Sequence, residues 1–128
     1  MKYLLITVLC SGLFCNILVA DGVLKEIGLA LEAGNAKALA NYFRGEVTLT
    51  VPKGDGAYKP AQAEEKLRNF FKENPPNQFI TLHQGSSKSN SKYVIGKLKT
   101  ANGNYRTYLL LYEGDQNQQP QIRELEFE

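Results

Sequence analysis

A single histidine, His83, and two cysteines, Cys10 and Cys15, are all the imidazole and thiol that this 128-residue chain possesses. Both cysteines fall within a leader-like opening segment, so a chain starting at Asp21 carries none. Disulfides, thiolate catalysis and cysteine metal sites are thereby excluded from such a chain. One imidazole without thiols leaves too few donors for a transition-metal centre. The turn KGDGAY offers one carboxylate and no EF-hand spacing, so calcium is equally unsupported. Gly54 and Gly56 lack the following lysine and hydroxyl residue of a phosphate loop. No cofactor is expected. There is also no excess of one charge: 15 basic and 13 acidic residues are interspersed, which argues against an electrostatic nucleic-acid binder. Internal repeats are missing, and the length leaves no room for a second domain.

The N-terminal stretch MKYLLITVLCSGLFCNILVA has one positive charge at Lys2, an apolar run from Leu4, and the small Ala20 ahead of Asp21. That is the layout of a secretory signal peptide, residues 1–20, followed by one domain over 21–128. Ser11, Gly12 and Asn16 interrupt the run, which is near the lower limit of about 17 residues for a membrane helix, so stable membrane insertion is not expected after its removal. An exported protein, periplasmic or extracellular, follows.

From Gly22 to Phe43, apolar residues recur at helical spacing around Gly34-Asn35, which predicts two short helices joined by a tight turn. EVTLTVP alternates as a strand ended by Pro52, and KGDGAYKP turns back through Tyr58. A third helix over Ala61 to Asn74, opened by Pro60 and stopped by Pro75-Pro76, places Ala63, Leu67, Phe70 and Phe71 on one side. Strand-like runs follow at Gln78 to Gln84, Lys92 to Thr100, Asn104 to Glu113 and Gln121 to Glu128. Helices first and then a strand meander predict an α+β fold with helices packed on an antiparallel sheet.

A two-residue turn at Asn102-Gly103 would pair Thr100 with Tyr105, Leu98 with Thr107, Gly96 with Leu109 and Val94 with Leu111. This face is mostly apolar and belongs inside, with Gly96 admitting a close neighbour. The outer face then carries Tyr93, Ile95, Lys97 and Lys99 beside Arg106, Tyr108, Leu110 and Tyr112, with Glu124 and Glu126 expected to meet the cations across strands. On the histidine strand, sending Ile80 and Leu82 inward puts His83 outward near Tyr93. The opposite parity would place it between helices and sheet, where its titration suits acid–base work.

The strings GNAKALANYF and VTLTVP, the Ala61-Gln62-Ala63 helix start ending in Phe70-Phe71, Phe79 with His83-Gln84-Gly85, Tyr93 with Ile95-Gly96, and Gly103 with Tyr105-Arg106 resemble a family of secreted bacterial proteins of unknown function. That family has the cone-shaped nuclear-transport-factor-2-like fold. The resemblance implies a strongly curved sheet wrapping the helices, with a pocket at the wide end. The fold also hosts ketosteroid isomerases and dehydratase-like enzymes, whose aspartate base has no counterpart here, because Asp55 and Asp115 sit in turns beside glycine and Asp21 stands at the new terminus.

Two functions are compatible with these residues. The first is a non-enzymatic binding or interaction module, with a homodimer formed through Tyr93, Ile95, Tyr108, Leu110 and Tyr112. The second is a small-molecule enzyme or carrier for a small apolar ligand, with Tyr58, His83 and Tyr105 as the polar groups of an apolar pocket.

Overall fold

The computed structural model describes residues 19–115 and 117–128. The expected signal peptide lies outside them except for Val19 and Ala20, which begin the first helix. Helix α1 (Val19–Ala33) buries Ile27, Ala30 and Leu31. It stops because Gly34 takes the left-handed φ of +64°, and the amides of Gly34 and Asn35 bond back to the carbonyls of Leu31 and Ala30. Asn35 then caps α2 (Ala36–Ala40) by accepting a 3.0 Å hydrogen bond from the Ala38 amide. Strands β1 (Val47–Thr50) and β2 (Gly56–Tyr58) form a short antiparallel pair. Helix α3 (Pro60–Glu73) has Pro60 where its missing N–H costs nothing, and Gln62 reaches back to the Lys59 amide at 3.3 Å. Its four buried residues are Ala63, Leu67, Phe70 and Phe71, the side expected from their spacing.

Four longer strands complete the sheet: β3 (Pro76–Ser87), β4 (Ser91–Thr100), β5 (Gly103–Tyr112) and β6 (Gln121–Phe127). The order is β2-β1-β6-β5-β4-β3, antiparallel except for the β1–β6 pair, which is parallel. Register shifts in β3 and between β5 and β6 put bends into the sheet. This is the α+β cone anticipated from the sequence. Leu39, Val47, Leu49, Leu67, Leu98, Leu109, Ile122, Leu125 and Phe127, with their neighbours, fill the space between helices and sheet.

The β4–β5 turn is Ala101-Asn102, not Asn102-Gly103. Thr100 pairs with Gly103, Leu98 with Tyr105, Gly96 with Thr107 and Val94 with Leu109. The slip is by two residues, so every side chain keeps its expected face. Hydrogen bonds outside the hairpin explain it. The Ala101 amide donates to the Pro75 carbonyl at 2.9 Å, and the Asn102 side-chain amide donates to the Glu73 carbonyl at the end of α3. Within the turn, the Thr100 hydroxyl accepts from the Asn102 amide at 3.0 Å and donates to the Gly103 carbonyl at 2.7 Å. Docking to the helix overrides the local Asn-Gly preference.

Strand β3 also departs from expectation. Phe79 and Thr81, rather than Ile80 and Leu82, face the helices: they pair with Leu98 and Gly96, and Phe79 packs against Gly28 of α1. Leu82 is 58% exposed. A bulge at Leu82 then resets the alternation, so that His83 pairs with Ile95 and points outward after all. The expected position of the imidazole is met although the expected parity of the two residues before Thr81 and His83 is wrong.

Candidate functional site

The outer face of the sheet gathers side chains from four strands. β5 supplies Arg106, Tyr108, Leu110 and Tyr112, and β4 supplies Tyr93, Ile95, Lys97 and Lys99. Tyr108 lies opposite Ile95 on one side and Glu126 on the other, while Leu110 lies between Tyr93 and Glu124. All of these are half-buried except the exposed Arg106. At the β3 edge, His83 Nε2 is 2.8 Å from the Tyr93 hydroxyl. At the loop end, Tyr112 donates to Gln118 at 3.0 Å and carries the Arg123 guanidinium 4.0 Å from its ring centroid.

Of the cations expected to meet Glu124 and Glu126 across strands, Arg106 on the adjacent β5 acts on Glu126, while the lysines do not reach them. β6 neighbours β5 and β1, not β4, and Lys97 stands opposite another cation, Arg106. The face is polarised in its middle instead: Glu124 and Glu126 lie on β6 and Lys97 and Lys99 on β4, with Tyr108, Leu110 and Arg106 between them on β5 and Arg123 of β6 set apart over Tyr112 at the loop end. Burial, and then the charges of Glu128 and Glu124, hold the Glu126 carboxyl above its usual range, with Arg106 opposing and Asp55 adding to the rise. Burial also raises the Tyr108 phenol, followed by the charges of Glu124 and Glu126.

A group whose folded-state pKa is raised keeps its proton longer when folded, so stability falls as pH rises from the ordinary glutamate range through the raised value. Glu126→Gln is accordingly expected to stabilise the monomer at neutral pH, by less than about 1 kcal/mol at this solvent-accessible site, and to leave it no more stable than the parent at pH values below that range. Urea melts across acidic to neutral pH check this, and an unchanged slope in the variant would contradict it.

On the opposite side of the sheet, a cleft of about 510 Å³ opens between α3 and the segment following β1. Its base is apolar, built from Val51 and Phe70, with the Tyr105 ring edge-on to Phe70 at 5.1 Å. The Tyr105 hydroxyl donates to Asn74 Oδ1 at 2.9 Å, and Asn74 Nδ2 donates to the Phe70 carbonyl at 3.0 Å. Lys53 and Glu73 bridge the mouth at 3.5 Å.

Of the three polar groups expected in a pocket, only Tyr105 lines this cleft. Tyr58 borders a neighbouring hollow of about 400 Å³, which shares Lys66 and Asn69 with it. His83 lies outside both, on the outer face. Missed at the sequence level were Lys66, Asn69, Asn74 and Asn102. The spacing Lys66, Asn69, Phe70, Glu73 runs i, i+3, i+4, i+7 along α3 and was a usable signal for one helix stripe facing a common space. Among the described residues, no group of three or more histidine, cysteine or acidic side chains converges, and no helix is long and apolar enough to cross a membrane.

A family model described as a domain of unknown function, DUF4783, matches residues 24–128. The chain is similar to a crystallised DUF4783 family protein from Bacteroides ovatus, with 28% identity over 80% of this chain and 90% of that one and a TM-score of 0.71. It is similarly close to one from Bacteroides uniformis, at 28% identity, 81% and 94% coverage and a TM-score of 0.72. An NTF2-like protein of unknown function from Cytophaga hutchinsonii shares the fold, with a TM-score of 0.58 at 12% identity over 86% of this chain and 88% of that one. Among curated proteins, none matches the sequence.

Proposed function

The chain belongs to the DUF4783 family, whose function is unknown, and from the surface it presents we propose that it is an exported, non-enzymatic interaction module that pairs with a second copy of itself through the outer face of its sheet. The observation that carries this reading is the polarity of that face. Glu124 and Glu126 lie on β6, Lys97 and Lys99 on β4, and Tyr108 and Leu110 on β5 between them, with Arg106 at the lysine end of β5 and Arg123 over Tyr112 at the other. A two-fold axis running along β5 lays the β6 side of one copy over the β4 side of the other. Acid then meets base, and the tyrosines and aliphatics meet at the centre. A face with one sign of charge throughout would repel its own copy.

Sedimentation over about a hundredfold range of concentration tests the pairing. A concentration-dependent dimer is expected, and Leu110→Asp at its centre should weaken it roughly 30-fold or more, as for an interface hot spot. Glu126→Lys and Lys97→Glu should each weaken it and together restore it. The dimer should also loosen as salt rises and as pH falls through the Glu126 titration. A monomer at every concentration would remove the proposal. Export rests on the layout of residues 1–20, and it predicts a secreted form whose first residue is Asp21. Retention in the cytoplasm with an intact N-terminus would remove that part.

A further inference from the structure

Going beyond the pairing face, we propose that the cleft between α3 and the Val51-Pro52-Lys53 segment is a binding site for a small organic monoanion: a carboxylate held by Lys66, joined to a flat apolar body resting on Phe70 and Val51. Size comes first. At about 510 Å³ the cleft falls within the roughly 300–1,000 Å³ of small-molecule sites. Its apolar base is firm as well. Phe70 and Val51 are each 5% exposed, and Phe70 is held from below by Phe127, stacked at 4.7 Å, and from the side by Tyr105. A rigid aromatic surface favours a planar partner.

Charge then selects among planar ligands. Lys53 and Glu73 neutralise one another across the mouth. Lys66 has no carboxylate within ion-pair distance among the described residues. Its ammonium lies 5.5 Å from the centroid of the Tyr58 ring, half-buried on the wall shared with the neighbouring hollow. The cleft therefore carries one uncompensated positive charge.

Hydrogen bonding completes the selection. Asn69, one turn along α3 from Lys66, makes no side-chain hydrogen bond within the described residues and offers its amide N–H to a carboxylate oxygen. Asn74 and Tyr105 are already committed to each other and to the backbone, which fixes their orientation rather than leaving them to compete for the ligand.

The test uses 2-naphthoate and its neutral analogue 2-naphthylmethanol against the full chain, followed by two-dimensional amide NMR and calorimetry. Naphthoate should shift the signals of Val51, the Asn69 side chain and Tyr105, and should bind at least about tenfold more tightly than the alcohol. Lys66→Gln should bring the two affinities together, whereas Lys53→Gln should leave the preference in place. Asn69→Asp, which sets a carboxylate beside the ligand's own, should weaken naphthoate and spare the alcohol. Because the cleft and the pairing face lie on opposite sides of the sheet, Leu110→Asp should bind naphthoate as the parent does, so failure of one proposal is distinguishable from failure of the other. Absence of shifts in the cleft at millimolar naphthoate, equal affinity for the alcohol, or an anion preference that survives Lys66→Gln would each overturn the assignment.

Discussion

Gly96→Ala is expected to cost about 3 kcal/mol and to lower the melting temperature by roughly 10–20 °C, a large effect for a single methyl group. The backbone at Gly96 does not have a positive φ, so the cost is steric. A Cβ placed there would lie 2.5 Å from Phe79 Cζ and 2.7 Å from the Ile80 carbonyl oxygen. The ring could turn aside. The carbonyl cannot, because Ile80 is paired with Lys97 in the β3–β4 ladder. Phe79→Ala should relieve only the ring's share, so Gly96→Ala should cost less in that background without becoming free, with a coupling near 1 kcal/mol in a double-mutant cycle. Thermal melts of the four proteins decide the matter. A Gly96→Ala variant melting within about 2 °C of the parent would mean that the ring does not occupy the space above residue 96.

The same glycine marks where local reading stopped being sufficient. Alternation in β4 and β5 identified the inner and outer faces, because one parity there is mostly apolar, and the two-residue slip of the hairpin left both faces intact. In β3 both parities carry apolar residues. Ile80 and Leu82 compete with Phe79, and no count along the strand can choose between them. The choice is made across the sheet, where the vacancy left by Gly96 accepts a ring that neither Ile80 nor Leu82 could supply. That Gly96 admits a close neighbour could be read from the sequence, but the identity of the neighbour could not. The charge pattern held for Arg106 only: the glutamates of β6 were expected to reach the lysines as well, yet strand order sets β5 between them. That order follows from the two consecutive antiparallel pairings, β4 with β5 and β5 with β6, which a strand meander already implies. The cleft was legible only in part. Tyr105 stood out as an aromatic hydroxyl at a strand start, while Asn74 and Asn102 looked like a helix stop and a turn residue, which they also are.

Phe127→Ala should be the most damaging of these substitutions, costing about 3–5 kcal/mol, enough to leave a domain with the usual total of roughly 5–15 kcal/mol marginal at physiological temperature. Phe127, at the end of β6, is 1% exposed. It stacks on Phe70 at 4.7 Å with an interplanar angle of 24° and meets Phe71 edge-on at 6.1 Å, so its removal opens a void beneath two rings held by α3. A strand end could escape such a cost by fraying. Here the amide of Arg106 donates to the Glu128 carbonyl at 2.7 Å, and the amide of Glu128 donates back at 2.9 Å, which ties the end of β6 to β5. Phe127→Leu keeps most of the volume and should cost about 1–2 kcal/mol, including the lost aromatic contact. Denaturant melts of both variants give the two values directly, and a loss below about 1 kcal/mol for Phe127→Ala would show that the last strand is frayed in solution. The leucine variant also separates stability from binding. It stays folded with Lys66 and Asn69 untouched, yet Phe70 loses the ring that steadies it, so naphthoate affinity should fall while the preference for the anion over the alcohol persists. Charge selection and apolar support reside on different residues of the cleft, and a variant that lost both together would show them to be one property of the fold.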